Sequence, residues 1–413
     1  MRPTGPHRPA ATPAADRGGD DMTKALIIGG GIAGAVTAMA LHKAGIDAEL
    51  FEAYPTGADD VGAFLVVFAN GLEALRVIDA HGPVVAASFP AQRVRVLDDH
   101  GEQLGERPIA GTGQGTGLGP RTLRRATLYQ VLHAEAARRG IAVRHGKRLT
   151  GAETVHTAHG TKVVAAFADG SRAEGDLLIG ADGVHSVTRG LLDPAAPRPR
   201  YTGRNTVCGY TRDTAAQLAP DTYTMIFGRR AFFGCTRAPD GEIWWFANVP
   251  GTERDAGSGA VPAAEWRRRT AALFADDDTP AAGLVRATDR VVASGAYDLA
   301  TTPTWYDDTM VILGDAAHAA APNAAQGASM AIEDALVLAI CLRDRPDPRS
   351  AFAAYEELRR ERVEKVVAAS AGMAALAAPG PGGRPARPAP PERRTADGSA
   401  GADDWLTGYR IAW

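Results

Sequence analysis

The sequence predicts an α/β protein: a Rossmann-like dinucleotide-binding domain, interrupted by an antiparallel-sheet domain and followed by C-terminal helices. Three features carry that prediction. An apolar strand, a Gly-rich turn and a helical period follow one another over residues 24–44. Short, aromatic-rich stretches with period-two alternation fill about 198–297. An apolar strand then returns at 310–314, ahead of two long helical patterns.

Taken in order, residues 1–21 are rich in Pro, Ala, Gly and Arg without periodicity. They read as a disordered extension, with Met22 the natural start of the folded unit. Residues 24–28 form a buried parallel strand, 32–44 a helix and 48–52 a second strand, which together make a βαβ unit. Residues 94–97, a polar turn at 98–101 and the segment from Gln103 predict a hairpin, and 111–119 is a Gly-dense loop. Helical period returns over 125–139 through Leu128, Val131, Leu132 and Ala136. A strand–loop–strand pattern from 143 to 167 leads into the apolar run 176–180. The aromatic stretches 223–227, 231–235 and 243–246 then predict the antiparallel sheet. Helices are expected over 328–343 and 349–376.

The expected division therefore gives the nucleotide-binding domain 22–90, 119–197 and 298–345. The substrate-binding sheet takes 91–118 and 198–297. A C-terminal helix follows at 346–377, then a Pro/Gly/Arg-rich flexible linker at 378–403 and an aromatic tail at 404–413 that docks back onto the body.

Composition bounds the function. At 413 residues the chain suits two intimately joined domains. Hydrophobic residues at 45% and charged residues at 23% are ordinary for a globular protein, and a net charge of −3 points to neither nucleic acid nor an anionic membrane. Cys208, Cys235 and Cys341 are odd in number and widely spaced, which reads as reduced thiols in a cytoplasmic protein rather than a disulfide framework or zinc site. The histidines show no metal-ligand spacing, so no metal is expected. No apolar run reaches the roughly 18–20 residues that span a bilayer, and the N-terminus lacks the apolar core of a signal peptide.

Three motifs carry chemistry. Gly29-Gly30-Gly31-Ile32-Ala33-Gly34 follows a strand and opens a helix. Gly29 makes the tight turn, Gly31 lets backbone approach a pyrophosphate, and Gly34 allows close helix–strand packing. The phosphates would meet the positive helix end and its unpaired N–H groups. Glu52, ending the second strand, is placed to accept from an adenosine ribose hydroxyl. The second motif runs Gly175-Asp176-Leu-Leu-Ile-Gly180-Ala-Asp182-Gly183-Val-His185-Ser186-Val-Thr-Arg189. The third is Val311-Ile-Leu-Gly314-Asp315-Ala-Ala-His318, continuing to Pro322 and Gln326-Gly327.

In order and spacing these resemble the motifs of single-component FAD-dependent aromatic monooxygenases, the family of p-hydroxybenzoate and salicylate hydroxylases, over about residues 22–375. The resemblance implies bound FAD, NADPH or NADH as a transient reductant, and O2. It implies hydroxylation of an aromatic or polycyclic substrate through a flavin 4a-hydroperoxide, with the flavin carrying the chemistry and no catalytic side chain assigned. It also implies site roles. Asp315 accepts from a ribityl hydroxyl, and the N–H groups of Gly327 and Ala328 face the flavin's pyrimidine end. Pro322 walls the flavin ring. Asp182 and Gly183 stand near the dinucleotide, Asp182 alternatively being a loop cap. Arg125 reaches the phosphates, with Arg121 and Arg124 as competitors. His318 reads as a packed residue rather than a base.

The chain departs from the family pattern at Ala325, where a glycine is usual, and at Ser329, where an asparagine is usual. An arginine often found before Gly62 is replaced by Ala58-Asp59-Asp60-Val61. The substrate is expected between the aromatic sheet and the flavin, walled by Phe64, Phe227, Phe233, Trp245 and Phe246, although Trp244 and Trp245 cannot both point inward. Taken singly, each of these rings is more often sheet core than a substrate contact. The alternatives are a flavin-dependent halogenase, whose W-x-W-x-I-P pattern does not match residues 244–250, or a flavoprotein scaffold without net oxygenation. A monomer or homodimer is expected.

Overall fold

A computed structural model describes residues 23–56, 63–111, 117–158, 160–212, 214–253, 261–376 and 404–413. The expected N-terminal extension, the linker 378–403 and the segment 58–61 lie outside the described residues, as does most of the Gly-dense loop.

Short, almost wholly apolar runs with no polar face are satisfied in a sheet covered on both sides. Lys24–Ile28, Leu177–Gly180 and Met310–Ile312 are such runs. They sit side by side in a five-stranded parallel sheet completed by Asp47–Phe51 and Val143–Arg144. The order places Lys24–Ile28 centrally, with Leu177–Gly180 and then Met310–Ile312 on one side and Asp47–Phe51 on the other. The three motif-bearing strands are thus adjacent, though 286 residues separate Lys24 from Met310 (310 − 24). The helix Ile32–Lys43 and the helix Gly327–Asp344 pack into the core above this sheet with Leu72, Leu75, Leu128 and Leu132.

The aromatic region forms a seven-stranded sheet that includes Arg200–Thr211, Thr222–Phe227, Phe232–Arg237, Ile243–Pro250 and Val291–Asp298. The expected hairpin joins its edge as Arg93–Asp98 and Gln103–Pro108. One junction differs from a purely antiparallel reading, because Arg93–Asp98 runs parallel to Thr222–Phe227. A strand imported from a distant part of the chain is not bound to hairpin polarity. The helices Ala263–Leu273 and Ala281–Arg286 cover one face of the sheet, where Phe233, Trp245, Trp266, Phe274 and Leu284 make a separate core. The opposite face looks toward a small sheet of Phe64–Val67, Arg121–Arg124 and Phe89–Pro90. Among the described residues no helix is long and apolar enough to cross a membrane, and no group of His, Cys, Asp and Glu is arranged to hold a metal.

Candidate active site

Gly29 has φ +101, and a Cβ there would collide with the Ala181 carbonyl oxygen and stand 2.9 Å from the Asp182 Cα. Only glycine lets the first motif lie directly on the second. A Cβ on Gly34 would collide with the Gly29 carbonyl oxygen, so the helix also sits hard against the turn. Gly31, the helix N-cap, is different: a Cβ there would meet nothing within 4 Å, and no side chain caps the helix. That is an open, electropositive helix end of the kind that receives a pyrophosphate. Glu52 is buried beneath the turn, where Oε2 accepts from Gly30 N at 2.7 Å and Oε1 from Tyr54 N at 2.8 Å. Each carboxylate oxygen keeps a second lone pair for a hydroxyl donor.

The third motif meets the first at Gly314 (φ +59), where a Cβ would lie 3.2 Å from Ala331 Cβ and 3.4 Å from Ala33 Cβ. The N-terminal turns of the two helices therefore converge there. Asp315, next in sequence, is half-buried, and no hydrogen bond to its carboxylate is formed among the described residues. A Cβ on Gly327 would stand 3.9 Å from Asp315 Oδ1. The helix from Gly327 has Gln326 as N-cap, no side-chain cap and no acidic residue in its first turn. Pro322 begins a short 3-10 turn and is exposed, and Ala328 is half-buried.

The arginines separate cleanly. Arg121 donates to Ser88 Oγ at 3.0 Å and to the carbonyls of Val85 and Ser88. Arg124 donates to Glu242 Oε2 at 2.6 Å and lies over the rings of Tyr210 and Trp244. Arg125 opens its helix exposed, with its side chain in no hydrogen bond or ion pair among the described residues.

Asp182 is a cap. Its Oδ1 accepts from Ser186 Oγ at 2.5 Å, and its Oδ2 accepts from Val187 N, Thr188 N and Thr188 Oγ1 at 2.9–3.0 Å. The carboxylate holds the start of the helix Val187–Leu192, and Gly183 beside it has φ +78 with open space at its Cβ position. Arg189, closing the second motif, is buried and donates to the Ala316 carbonyl at 2.9 Å and the Val184 carbonyl at 2.8 Å. It ties the second motif to the third.

Beneath Gly314 lies a fully buried ion network. Asp334 accepts from Gly314 N at 3.1 Å, from His318 Nε2 at 2.5 Å and from Arg359 Nε at 2.7 Å. Burial would raise the Asp334 carboxyl, but His318 and Arg359 hold it at about 2. Arg359 also pairs with Glu333 at 2.7 Å, and burial alone would depress its guanidinium, yet the two carboxylates raise it further. His318 is packed against Trp305 in this network. The cysteines are free and buried, and burial pushes Cys208 and Cys235 up to about 12 and Cys341 to about 11, so none is a ready thiolate.

The aromatic sheet corrects two expected wall residues. Trp245 and Phe233 are 0% exposed and stack at 5.5 Å on the helix-covered face, away from the motifs. Trp245 Nε1 donates to Thr288 Oγ1 at 2.8 Å there. Alternation puts Trp244 and Phe246 on the other face instead. Phe64 meets Trp244 at 5.6 Å, Phe246 at 5.9 Å, Tyr223 at 6.3 Å and Tyr210 at 6.4 Å between ring centroids. Phe227 packs edge-on to Phe232 on this face, and Phe232 reaches Phe246. Burial pushes the Tyr210 phenol up to about 12, so it stays a neutral donor. Tyr210, Tyr223 and Phe232 were not foreseen from the sequence, which for Trp244 and Trp245 left open which one points inward. Finding them takes both the facing of Trp245 and the register between strands, which sets Tyr210 opposite Trp244 and Tyr223 opposite Thr236.

A model of the FAD binding domain matches residues 22–370 of the chain. The chain belongs to this FAD-binding family. It is 31% identical to the aurachin C monooxygenase/isomerase of Stigmatella aurantiaca, over 82% of this chain and 85% of that protein. It is 30% identical to the FAD-dependent urate hydroxylase of Klebsiella pneumoniae, over 82% and 86%. The crystal structure of Klebsiella pneumoniae HpxO with FAD and uric acid superposes with a TM-score of 0.76 at 28% identity, covering 86% of this chain and 88% of that one. The chain is an FAD-dependent monooxygenase of the aromatic-hydroxylase kind, and nothing in these likenesses favours a halogenase.

Of the departures from the family pattern, those at 325 and 329 lie among the described residues. Ala325 sits at φ +53, ψ +21, the left-handed conformation that a glycine adopts without strain. Ser329 Oγ accepts from Phe68 N at 3.2 Å, and a Cβ on Gly71 would stand 2.8 Å from it. A longer side chain at 329 would drive into the helix Ala69–Val77.

Proposed function

We propose that this flavoenzyme hydroxylates a planar aromatic or polycyclic substrate held between FAD and the Phe64–Trp244–Phe246 face, with NADPH or NADH as reductant. The observation that carries this is Phe64. Its strand pairs with Arg121–Arg124, which runs into Arg125, while its ring meets the aromatic face of the sheet. Four residues on, just after Val67, Phe68 N donates to Ser329 Oγ in the first turn of the Gly327 helix. One short strand thus joins cofactor elements to a ring-lined wall.

Bound FAD supplies hydride acceptance and transfer of one oxygen atom from O2 to the substrate. The protein binds and orients. The open N-terminal turn of the helix at Gly31 takes the pyrophosphate, aided by Arg125, with Gly29 and Gly34 allowing the close packing that places it, and Glu52 takes the adenosine ribose. Asp315 accepts from the ribityl chain. The N–H groups of Gly327 and Ala328 oppose negative charge at the pyrimidine edge. Pro322 offers a donor-free wall, and Gly183 admits close backbone approach. Phe64, Phe227 and Phe246, with Trp244, exclude water and favour a flat, apolar ligand.

The test is nicotinamide oxidation by the purified holoenzyme over phenols, indoles and fused-ring aromatics under labelled oxygen. A substrate should accelerate oxidation and yield product carrying one labelled atom. Product without label under coupled turnover would overturn the proposal.

Asp315 and Asp182 should separate in a pair of variants. Asp315→Ala removes a carboxylate acceptor that has no hydrogen-bond partner among the described residues, so FAD affinity should fall by about 1.5–3 kcal/mol, roughly 10- to 200-fold in Kd. Asp182→Ala removes a cap and should instead lower fold stability by ~0.5–2 kcal/mol. FAD titration beside thermal unfolding compares them. Equal losses of affinity would mean the two roles are misassigned.

A further inference from the structure

The C-terminal segment crosses the back of this site, and its contacts are unusually cationic. Trp405 carries Lys365 Nζ over its ring at 4.0 Å. Tyr409 lies under both Arg362 (4.5 Å) and Arg359 (5.3 Å), and Trp413 lies under Arg343 (5.0 Å) and Lys43 (5.4 Å). These cations stand on the helices Ile32–Lys43, Gly327–Asp344 and Pro348–Leu376. Two of those helices begin at the Gly314 junction. Thr407 is fully buried, and a Cβ on Gly111 would lie 3.4 Å from its Cβ and 3.1 Å from Ala69 Cβ. The segment therefore also abuts the start of the helix Ala69–Val77.

One side chain joins the segment to the cofactor elements. Arg362 donates to the carbonyls of Trp405 and, at 2.7 Å, of Leu406, while its Nε and Nη2 hold both oxygens of Glu333 at 2.8 and 2.9 Å. Glu333 accepts from Asn70 Nδ2 at 2.7 Å, and Asn70 Nδ2 also lies 3.4 Å from Oε1 of Gln326, the N-cap before Gly327. On the other side Glu333 pairs with Arg359, which holds Asp334, which holds Gly314 N. Each branch ends next to a residue assigned above to the flavin: one on the Gln326 side chain, just before Gly327, the other on Gly314 N, just before Asp315. Without the two carbonyls and the Tyr409 ring, Arg362 would be drawn toward water, and Glu333 would lose its bidentate partner.

We propose that residues 404–413 form a strap that sets the flavin-facing end of the Gly327 helix, with Arg362 as the positioning residue through which it acts. The proposal rests on the flavin-site reading above. It predicts that the strap tunes the flavin itself and not merely the fold. Loosening it tilts the N–H groups away from the pyrimidine edge, where reduction places negative charge, so the reduced flavin loses more stabilisation than the oxidised one.

The experiment compares the full-length holoenzyme with a chain ending at residue 403, with Arg362→Lys and Arg362→Gln, and with Trp245→Ala as a stability control remote from the strap. FAD dissociation constant, flavin midpoint potential and unfolding temperature are read for each. Truncation should raise the FAD Kd about tenfold or more, the scale of one lost charge-assisted hydrogen bond, and move the potential to more negative values. Arg362→Gln should do the same in the full chain and Arg362→Lys less, since lysine keeps the charge without the fork. A synthetic peptide of residues 404–413, added at about millimolar concentration, should restore the potential of the truncated holoenzyme. Trp245→Ala should lower the unfolding temperature and leave the potential alone. Should the truncated chain not fold, the two Arg362 variants decide the matter. A wild-type potential and Kd in the truncated chain, or in folded Arg362→Gln, overturns the strap. Weak FAD binding by the full-length protein would instead overturn the flavin-site reading beneath it.

Discussion

Trp245→Ala is expected to destabilise the protein by about 3–5 kcal/mol, the range for removing a fully buried aromatic, and to leave the coupling of nicotinamide oxidation to oxygenation intact. The indole is 0% exposed, stacks on Phe233 at an interplanar angle of 16° and donates to Thr288. A Cβ on Gly209 would stand 2.7 Å from it, so the space was shaped for this ring and collapses poorly without it. Trp244→Ala should behave oppositely at the active site. Its ring borders Phe64, Phe89 and Tyr210, and its Nε1 donates to Glu242 at 2.7 Å on the side facing the cofactor elements. Water admitted there should raise the hydrogen peroxide formed per nicotinamide oxidised. Urea unfolding and peroxide yield, measured on both variants, give a two-by-two comparison. A rise in peroxide confined to Trp245→Ala would return that residue to the pocket.

That contrast marks where sequence ceased to be informative. The cofactor cradle was legible because its determinants are local. A glycine at Gly29, the strand before it, the helix after it and Glu52 beyond lie within one βαβ unit, where spacing translates directly into geometry. Sheet faces are another matter. Alternation says that Trp244 and Trp245 diverge, but the direction of each depends on where the helices Ala263–Leu273 and Ala281–Arg286 pack, and that is tertiary information. Asp182 illustrates a similar limit. An aspartate beside glycine fits a ligand loop and a helix cap equally well, and only the positions of Ser186, Val187 and Thr188 decide for the cap. Arg125 differs from Arg121 and Arg124 solely by what surrounds it. The ion network was not legible for a further reason: Asn70, Gly314, the pair Glu333 and Asp334, and the pair Arg359 and Arg362 come from four separate segments, and no spacing links one to another.

That network supplies the other large effect. Arg359→Met should lower stability by about 3–5 kcal/mol at neutral pH, the consequence of leaving a buried charge without its partner. Arg359 is fully buried between Glu333 and Asp334, each also 0% exposed at the side chain, so without it Glu333 would keep Arg362 while Asp334 would be left with His318. The pH dependence should change sign. In the wild type Asp334 is held at about 2, below its ordinary value of 3.8. Its contribution is therefore complete above about pH 4 and is lost only as pH falls from there toward 2. In Arg359→Met burial is no longer opposed by the guanidinium, and the Asp334 carboxyl should rise above its unfolded value. A raised carboxyl destabilises the fold at high pH, and protonation relieves this as pH falls through the raised value. Urea midpoints between pH 8 and 5, a range chosen around the usual stability maximum at about pH 5–8, should then move upward on acidification for the variant relative to the wild type. Parallel pH profiles, or a loss below ~1 kcal/mol at pH 7, would mean that water or His318 neutralises Asp334 without help from Arg359.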